Sequence, residues 1–505
     1  MFEKILIANR GEIAVRVIRS CREMGIKTVA IYSDVDRDAL HVRFADEAYH
    51  CGPAPARDSY LVMDRVVEIA KRAGATGIHP GYGFLAENGD FADLCAAEGI
   101  TFIGPKGDVM RSMGDKVTAR RTMEAAGVPI VPGTTERLTD EEIDRWIREV
   151  GPPVMVKASA GGGGKGMRLV RNEDEIAGAV ARARGEAGSS FGDDGLYVEK
   201  FVEEPRHIEI QILADSHGNT IHLCERECSI QRRHQKVIEE APGNGITAEL
   251  RSRMGAAAVA AAKAVGYVGA GTCEFLVDAK GGFYFLEMNT RVQVEHAITE
   301  EITGVDIVKA MIRAAAGEPL GFDQGDIELR GHAIEARIYA EDPDKNFAPS
   351  PGKLEVYRPA DGIGVRVDGG VYEGASVSVH YDPMVAKLVV WGSDRVEAIE
   401  RLRRALSEFT VEGIKTSIPF HQRVVDHPVF IAGKYDTGFI ETHMSGKDAA
   451  DVDAEELRAA RMLAAIAAYR RDTARARRSP QQQGVGAADP WKDFGRRRLL
   501  RGGLG

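Results

Sequence analysis

Residues Phe283 to Glu300, FYFLEMNTRVQVEHAITE, hold a dense run of side chains able to do chemistry. With period 2, Tyr284, Leu286, Met288, Thr290, Val292 and Val294 fall on one side. Glu287, Asn289, Arg291, Gln293 and Glu295 fall on the other. A strand sends alternate side chains to opposite faces, so one face can enter a core while the other presents carboxylates, amides and a guanidinium in one row. The preceding run, Gly271 to Asp278, also reads as a strand, and Ala279 to Gly282 is a turn signal. A hairpin with Lys280-Gly281 at its tip puts Glu274 opposite Glu287. Two carboxylates about 4 Å apart repel by roughly 4 kcal/mol at an effective dielectric near 20. A divalent cation between them reverses the sign, and all-oxygen donors favour Mg²⁺ or Mn²⁺ over zinc. The alternative is a pair splayed into solvent or bound by Lys or Arg.

The elements that must position this row come from an ordinary globular chain. It has 505 residues, 44% hydrophobic and 28% charged, which suggests about three domains. A net charge of −10 argues against general nucleic-acid binding. The N-terminus has no signal-peptide layout and no apolar run reaches transmembrane length, so a cytoplasmic protein with no membrane partner is expected. The six cysteines are scattered without a CxxC, as in reduced proteins. His222, Cys224, Cys228 and His234 match no common zinc spacing.

Residues 4–35 read as a strand, a helix and a strand, hence a parallel sheet, but no GxGxxG follows the first strand. The α/β alternation continues to about residue 115. HPGYGFLAEN (79–88) follows a strand, where open α/β sheets bind ligands. Tyr82 and Glu87 have no obvious core role there; a plain turn with a helix-starting Glu is the other reading. PVMVKASAGGGGKGMRLVR (153–171) places a glycine loop between two apolar runs. No Ser or Thr follows Gly164-Lys165, so it is not a P-loop, and no helix follows the GxGxxG match. A flap whose amides fold over phosphates remains, with Lys157 reaching the same groups; a flexible linker is the alternative. RHIEIQILAD (206–215) alternates Ile208, Ile210 and Ile212 inward against His207, Glu209 and Gln211 outward. The run 224–242 is dense in both charge signs, suiting either anion binding or a solvated face. GHAIEARIYAEDP (331–343) opens a small mixed domain with Glu335 and Arg337 on one strand face. Beyond it come an alanine-rich helix over 454–471, a linker over 479–490 and a basic end over 491–505. That end reads as a disordered tail or a docking arm for a partner protein, more than as a nucleic-acid arm.

Together IANRGEIA, HPGYGFLAEN, GGGGKGM, RHIEIQ, QRRHQK, EMNTRVQVEH and GHAIEAR…AEDP resemble the biotin carboxylase family of ATP-grasp enzymes over residues 1 to about 445. The resemblance implies an α/β and α+β architecture. A Rossmann-like N-terminal (pre-ATP-grasp) domain spans 1–115, and an ATP-grasp domain spans 116–330 with a mobile lid about 130–203. A mixed C-terminal biotin carboxylase domain spans 331–445, and a helical and basic tail spans 446–505. It implies ATP- and bicarbonate-dependent carboxylation of biotin, with Mg²⁺ (or Mn²⁺). Lys116, Lys157, Gly163, Gly164, Glu199, Lys200, Phe201, Val202, His207, Gln231 and His234 are implied as ATP contacts. Glu274 and Glu287, assisted by Asn289, are implied as metal ligands. Lys236, Arg291, Gln293 and the Val294 backbone are implied for bicarbonate, Glu295 as the general base, and Arg337 for the biotin ureido oxygen with Tyr82 nearby. Ala160 before the glycines and Lys165 are small departures. No Met-Lys-Met occurs, so biotin is expected on a separate biotin carboxyl carrier protein. A separate carboxyltransferase subunit is expected too, with a homodimer of this chain within a larger complex. Acetyl-CoA or propionyl-CoA is the expected acceptor system, with pyruvate as the alternative. A catalytically dead scaffold on this fold, or an ATP-grasp ligase joining a carboxylate to an amine, are the competing classes.

Overall fold

A computed structural model describes residues 1–159 and 166–444, with 462, 463 and 466. Gly163 and Gly164, the linker over 479–490 and the basic end over 491–505 lie outside the described residues. So does the expected helix over 454–471, apart from Met462, Leu463 and Ile466, which are helical and exposed.

Strands β1 (Lys4–Ile7), β2 (Lys27–Ser33), β3 (Glu47–Gly52), β4 (Gly77–His79) and β5 (Thr101–Phe102) form a parallel sheet in the order β3-β2-β1-β4-β5. The apolar run ILIA (5–8) is buried on both faces. Ile5 and Ile7 enter one core with Ile13 and Val17 of the helix Gly11–Glu23, while Leu6 and Ala8 enter another with Val66 and Ile69 of the helix Met63–Ala73. Helices on both faces explain why β1 reads as continuous rather than alternating. The Asn9 amide donates to the carbonyls of Pro80 and Tyr82, each at 2.7 Å, clasping the loop after β4. Gly81 turns there with φ +63°, and a Cβ would lie 3.0 Å from Asn9 Nδ2.

Strands β6 (Val154–Ala158), β7 (Met167–Val170) and β8 (Leu196–Lys200) form a small antiparallel sheet, β7-β6-β8. It has its own core of Val154, Val156, Val170 and Val198 with Ile143, Ile147 and Val180. Those last three come from helices Asp140–Val150 and Ile176–Phe191, which the sequence reading passed over. The first carries a capping box, Thr139 with Glu142, a start signal that was available.

The central sheet holds β9 (Arg206–Ala214), β10 (Thr220–Arg232), β11 (Gln235–Ala241), β12 (Gly269–Val277), β13 (Phe283–Asn289), β14 (His332–Tyr339) and strands Met384–Gly392 and Val365–Gly369. Their order is β13-β12-β9-β10-β11-β14-(384–392)-(365–369), all antiparallel. β14 therefore joins the central sheet beside β11 rather than starting a separate one. One sheet face is apolar. Ile208, Ile210, Ile212, Phe275 and Phe285 pack at one end against the helix Ala248–Ala264. At the other end Ile238, Ile334, Ile338 and Leu388 pack against the helix Arg395–Glu408. The opposite face carries the polar row. Among the described residues no helix is long and apolar enough to cross a membrane, and all six cysteines are free and buried.

Glu240 on β11 ties this sheet to the C-terminal elements. It is fully buried and accepts from His332 Nε2 (2.6 Å), Arg395 Nε (2.7 Å) and the Tyr435 hydroxyl. Burial pushes its carboxyl up, but His332 and Arg395 outweigh that and pull it down to about 2. A depressed carboxyl adds stability above its unfolded value of about 4.3, and that stability is lost as pH falls through the folded value. Glu240→Gln is therefore expected to cost about 3 kcal/mol at neutral pH. Its gap to the wild type should close as pH falls from about 4.3 to about 2. Urea unfolding across that range checks this; a constant gap would contradict it.

Candidate active site

The hairpin β12–β13 forms with Glu274 opposite Glu287 and Thr272 opposite Asn289. Nearer the tip the register differs by one residue, with Phe275 opposite Phe285, so a bulge falls at Leu286. This corrects the predicted faces. Phe283, Phe285 and Met288 enter the core, while Leu286 shares the cleft with Glu287. A bulge inserts one residue and switches the parity of all that follows. The expected long strand also fails. β13 ends at Asn289, residues 290–294 are irregular, and Glu295 is the N-cap of the helix His296–Thr303.

The polar row runs across strands. Glu287 on β13 faces Glu274 on β12, Glu274 faces Glu209 on β9, and Glu209 faces Arg226 on β10. Three carboxylates in line would repel, and two cations offset them. Lys236 Nζ donates to Glu209, to Glu274 Oε1 (2.9 Å) and to Glu295 Oε1 (2.6 Å). Arg226 is fully buried and donates to Glu209, Gln211 Oε1 (2.7 Å), Gln293 Oε1 (2.9 Å), Thr299 Oγ1 (3.0 Å) and Thr272 Oγ1 (3.1 Å). Arg226 was missed because CERECSIQRRHQK lacks an apolar period. The run is in fact a β10–β11 hairpin, with Arg233 and His234 at its tip at φ +50° and +65°.

Glu274 and Glu287 of this row line a cleft of about 1120 Å³, while Glu209 and Arg226 are fully buried and not in its walls. Its walls include Lys116, Lys157, Glu199, Lys200, Phe201, Val202, His207, Gln231, His234, Lys236, Glu274, Glu287, Asn289, Arg291, Gln293, Val294, Glu295 and Arg337. Tyr82 is not among them; its hydroxyl donates instead to Glu12. Glu12 lies 3.4 Å from Lys387 Nζ, and Lys387, fully buried, donates to the Val294 carbonyl at 2.7 Å. Lys387 thus braces the segment between β13 and Glu295, and nothing in its strand pattern marks that role. Glu87 from the HPGYGFLAEN loop accepts from Arg291 Nε (2.8 Å) and the Thr290 amide (3.2 Å), which turns Arg291 into the cleft. Glu199 is buried between Arg120 and Lys157.

The electrostatics divide the carboxylates. Burial pushes Glu274 up, but Lys236 and His207 (Nε2 2.9 Å from Glu274 Oε2) outweigh it and hold the group well below the usual range. Glu295 is likewise held low against burial by Lys236 and Arg337, whose Nη2 donates to it at 2.9 Å. Glu287 is raised by burial and by the charge of Glu274, with Lys116 opposing. Among the described residues no side chain hydrogen-bonds its carboxylate. A raised carboxyl facing an ionised one is the situation a divalent cation relieves. The donors at hand, Glu274, Glu287 and the Asn289 carbonyl oxygen, are all oxygen, so they fit a hard cation. Glu274 also bonds Lys236, as the second reading of the pair expected. Among the described residues the close His/Cys/Asp/Glu groups are His207 with Glu209 and Glu274, and Glu209 with Cys228 and Glu295; the set His222, Cys224, Cys228 and His234 is not among them.

Residues 1–110 match the biotin carboxylase N-terminal domain, 115–322 the carbamoyl-phosphate synthase L chain ATP binding domain, and 335–442 the biotin carboxylase C-terminal domain. A pyruvate carboxylase subunit of Methanothermobacter thermautotrophicus is 57% identical over 451 residues, 89% of this chain and 91% of that one. Biotin carboxylase 1 of Bacillus subtilis is 54% identical over 88% of this chain and 99% of that one. A crystal structure of the biotin carboxylase domain dimer of Hydrogenobacter thermophilus 2-oxoglutarate carboxylase, with MgADP, ADP and bicarbonate, superposes with a TM-score of 0.85. It is 51% identical over 88% of this chain and 98% of that one. The ATP-grasp core and its cleft define an ATP-dependent ligase. The chain belongs to the biotin carboxylase family.

Proposed function

We propose that this protein carboxylates biotin on a separate carrier protein, using ATP and bicarbonate, as the first half-reaction of an acyl-CoA carboxylase. The observation that carries the reading is that Lys236 and Arg337 both bond Glu295 in one cleft, whose walls also carry Arg291, Lys116, Lys157 and His207. Glu274 and Glu287, with Asn289, would hold Mg²⁺ or Mn²⁺, which neutralises phosphate charge during phosphoryl transfer. Lys116, Lys157, Glu199, Lys200, Phe201, Val202, His207, Gln231 and His234 bind ATP, and Gly163 and Gly164 are further ATP contacts in this reading. The small sheet with its own core acts as the lid that closes over the nucleotide and keeps water out.

Bicarbonate binds to Lys236, Arg291, Gln293 and the Val294 backbone. Glu295 then takes its proton. Lys236 and Arg337 keep Glu295 ionised but weakly basic; an arriving anion that takes over Lys236 raises its affinity for the proton. The bicarbonate oxygen attacks the γ-phosphate, giving carboxyphosphate and ADP. Carboxyphosphate breaks into CO₂ and phosphate, and the phosphate takes the N1 proton of biotin. Arg337 holds the ureido oxygen as negative charge develops there, and N1 attacks CO₂. Tyr82 acts through Glu12 and Lys387 rather than by touching biotin.

Partners follow from this chemistry: a biotin carboxyl carrier protein and a carboxyltransferase subunit, with a second copy of this chain. The domain divisions at 115, 330 and 445, and a docking role for 446–505, belong to the same reading. The six unpaired cysteines support a cytoplasmic location. A specific observation favours pyruvate as a second acceptor system, because one relative that is 57% identical serves a pyruvate carboxylase. Bicarbonate-dependent ADP release that rises with free biotin tests the activity. No ADP would sink the enzyme reading, and ADP without biotin dependence would favour a different ligase. Co-purification with a biotin blot identifies the carrier and the carboxyltransferase.

A further inference from the structure

Arg337 is held from behind by a group that the reaction above does not use. Glu335 and Arg337 lie two apart on β14 and share its polar face, while Ile334, Ala336 and Ile338 enter the core on the other. Glu335 is directly opposite Glu239 on β11, and both are fully buried. Glu239 Oε1 accepts from Arg337 Nε at 2.6 Å. Among the described residues neither oxygen of Glu335 has a hydrogen-bond partner, and neither does Glu239 Oε2. A dry, ionised carboxylate without a donor is among the costliest groups a protein can bury. Like-charged side chains directly opposite in a sheet add to the cost.

We propose that Glu335 is a protonated carboxylic acid that donates its proton to Glu239 Oε2, and that this pair is a positioning device for Arg337. One proton satisfies two orphaned oxygens. It leaves the pair with a single negative charge, which Glu239 directs at Arg337 through Oε1. The proposal rests on the reading of Arg337 as the ureido-binding group. The charged and titratable groups facing the pair are Arg337 and Tyr339 on β14 itself, Lys236 on β11, Cys228 on β10 and Lys387 on the strand Met384–Gly392. Glu295 faces it from the N-cap of the helix His296–Thr303. Burial raises Glu335 well above the usual carboxylate range against Lys387, with Glu239 adding to the rise, and raises Glu239 to about 7. As pH climbs the shared proton is lost. A second buried charge then repels Glu239 and competes for Arg337.

Glu335→Gln mimics the protonated acid, because its amide can donate to Glu239 Oε2 at any pH. In the full chain with ATP, bicarbonate and free biotin, this variant should keep near-wild-type kcat/KM for biotin at neutral pH. It should then exceed the wild type progressively in alkali. Glu335→Ala leaves Glu239 Oε2 without a donor and should lower kcat/KM for biotin roughly tenfold or more, with the KM for ATP little changed. Infrared difference spectra, wild type minus Glu335→Gln near neutral pH, should show the carbonyl stretch of a protonated carboxylic acid. A Gln-to-wild-type ratio that stays flat with pH, or the absence of that band, overturns the proposal. If the wild type shows no biotin-dependent turnover at all, the functional reading fails, and the infrared band alone decides whether the acid pair exists.

Discussion

Glu295→Ala is expected to lower carboxybiotin formation about 10²- to 10⁴-fold, the usual contribution of a positioned general base. Binding of ATP should be largely kept, because Glu295 touches Lys236, Arg337 and Cys228 and none of Lys116, Lys157 or Glu199. The two measurements are carboxybiotin yield and nucleotide titration. Wild-type yield from the variant would remove Glu295 as the base. Loss of ATP affinity equal to the loss of rate would make it a structural anchor for Lys236 instead. Glu295→Gln separates these cases, since the amide keeps the size of the group but cannot accept the bicarbonate proton as a carboxylate does.

The second large effect is on stability. Arg226 is the fully buried cation at the end of the carboxylate row, with five side-chain acceptors around it. Arg226→Met should destabilise the central sheet by about 3–5 kcal/mol, because it strands Glu209 as a buried charge with one partner fewer. Amide hydrogen exchange in β9, β10 and β12 is the measurement, since those strands share the network. The double variant Arg226→Met/Glu209→Met should recover much of the loss, as removing both partners leaves no uncompensated charge. A single variant with unchanged exchange protection would show that Lys236 alone suffices to hold the row.

Much of the fold was legible. The first parallel sheet follows from apolar runs alternating with helical spacing, and the hairpin placing Glu274 opposite Glu287 follows from two strand runs around a short turn. What misled was distance along the chain. A one-residue bulge at Leu286 changed the face of Tyr284 relative to Met288, and the strand expected to reach Glu295 stopped at Asn289. Neither event has a local signature, because a period of 2 is the same on both sides of a bulge. The helices Asp140–Val150 and Ile176–Phe191 were passed over, although the first carries a capping signal.

By itself the sequence determined which side chains are present for chemistry and, within short runs free of a bulge such as Glu287 to Asn289, which share a strand face, because alternation is a property of neighbouring residues. Only the tertiary structure decided that the row continues across the sheet from the predicted Glu287–Glu274 pair through Glu209 to Arg226, rather than along one strand. It also decided that Glu295 arrives on a helix N-cap between Lys236 and Arg337, and that Glu335 meets Glu239 behind them. These are pairings between residues tens of positions apart, set by strand register. Register is chosen by the packing of whole faces, so no local pattern in the chain could announce it.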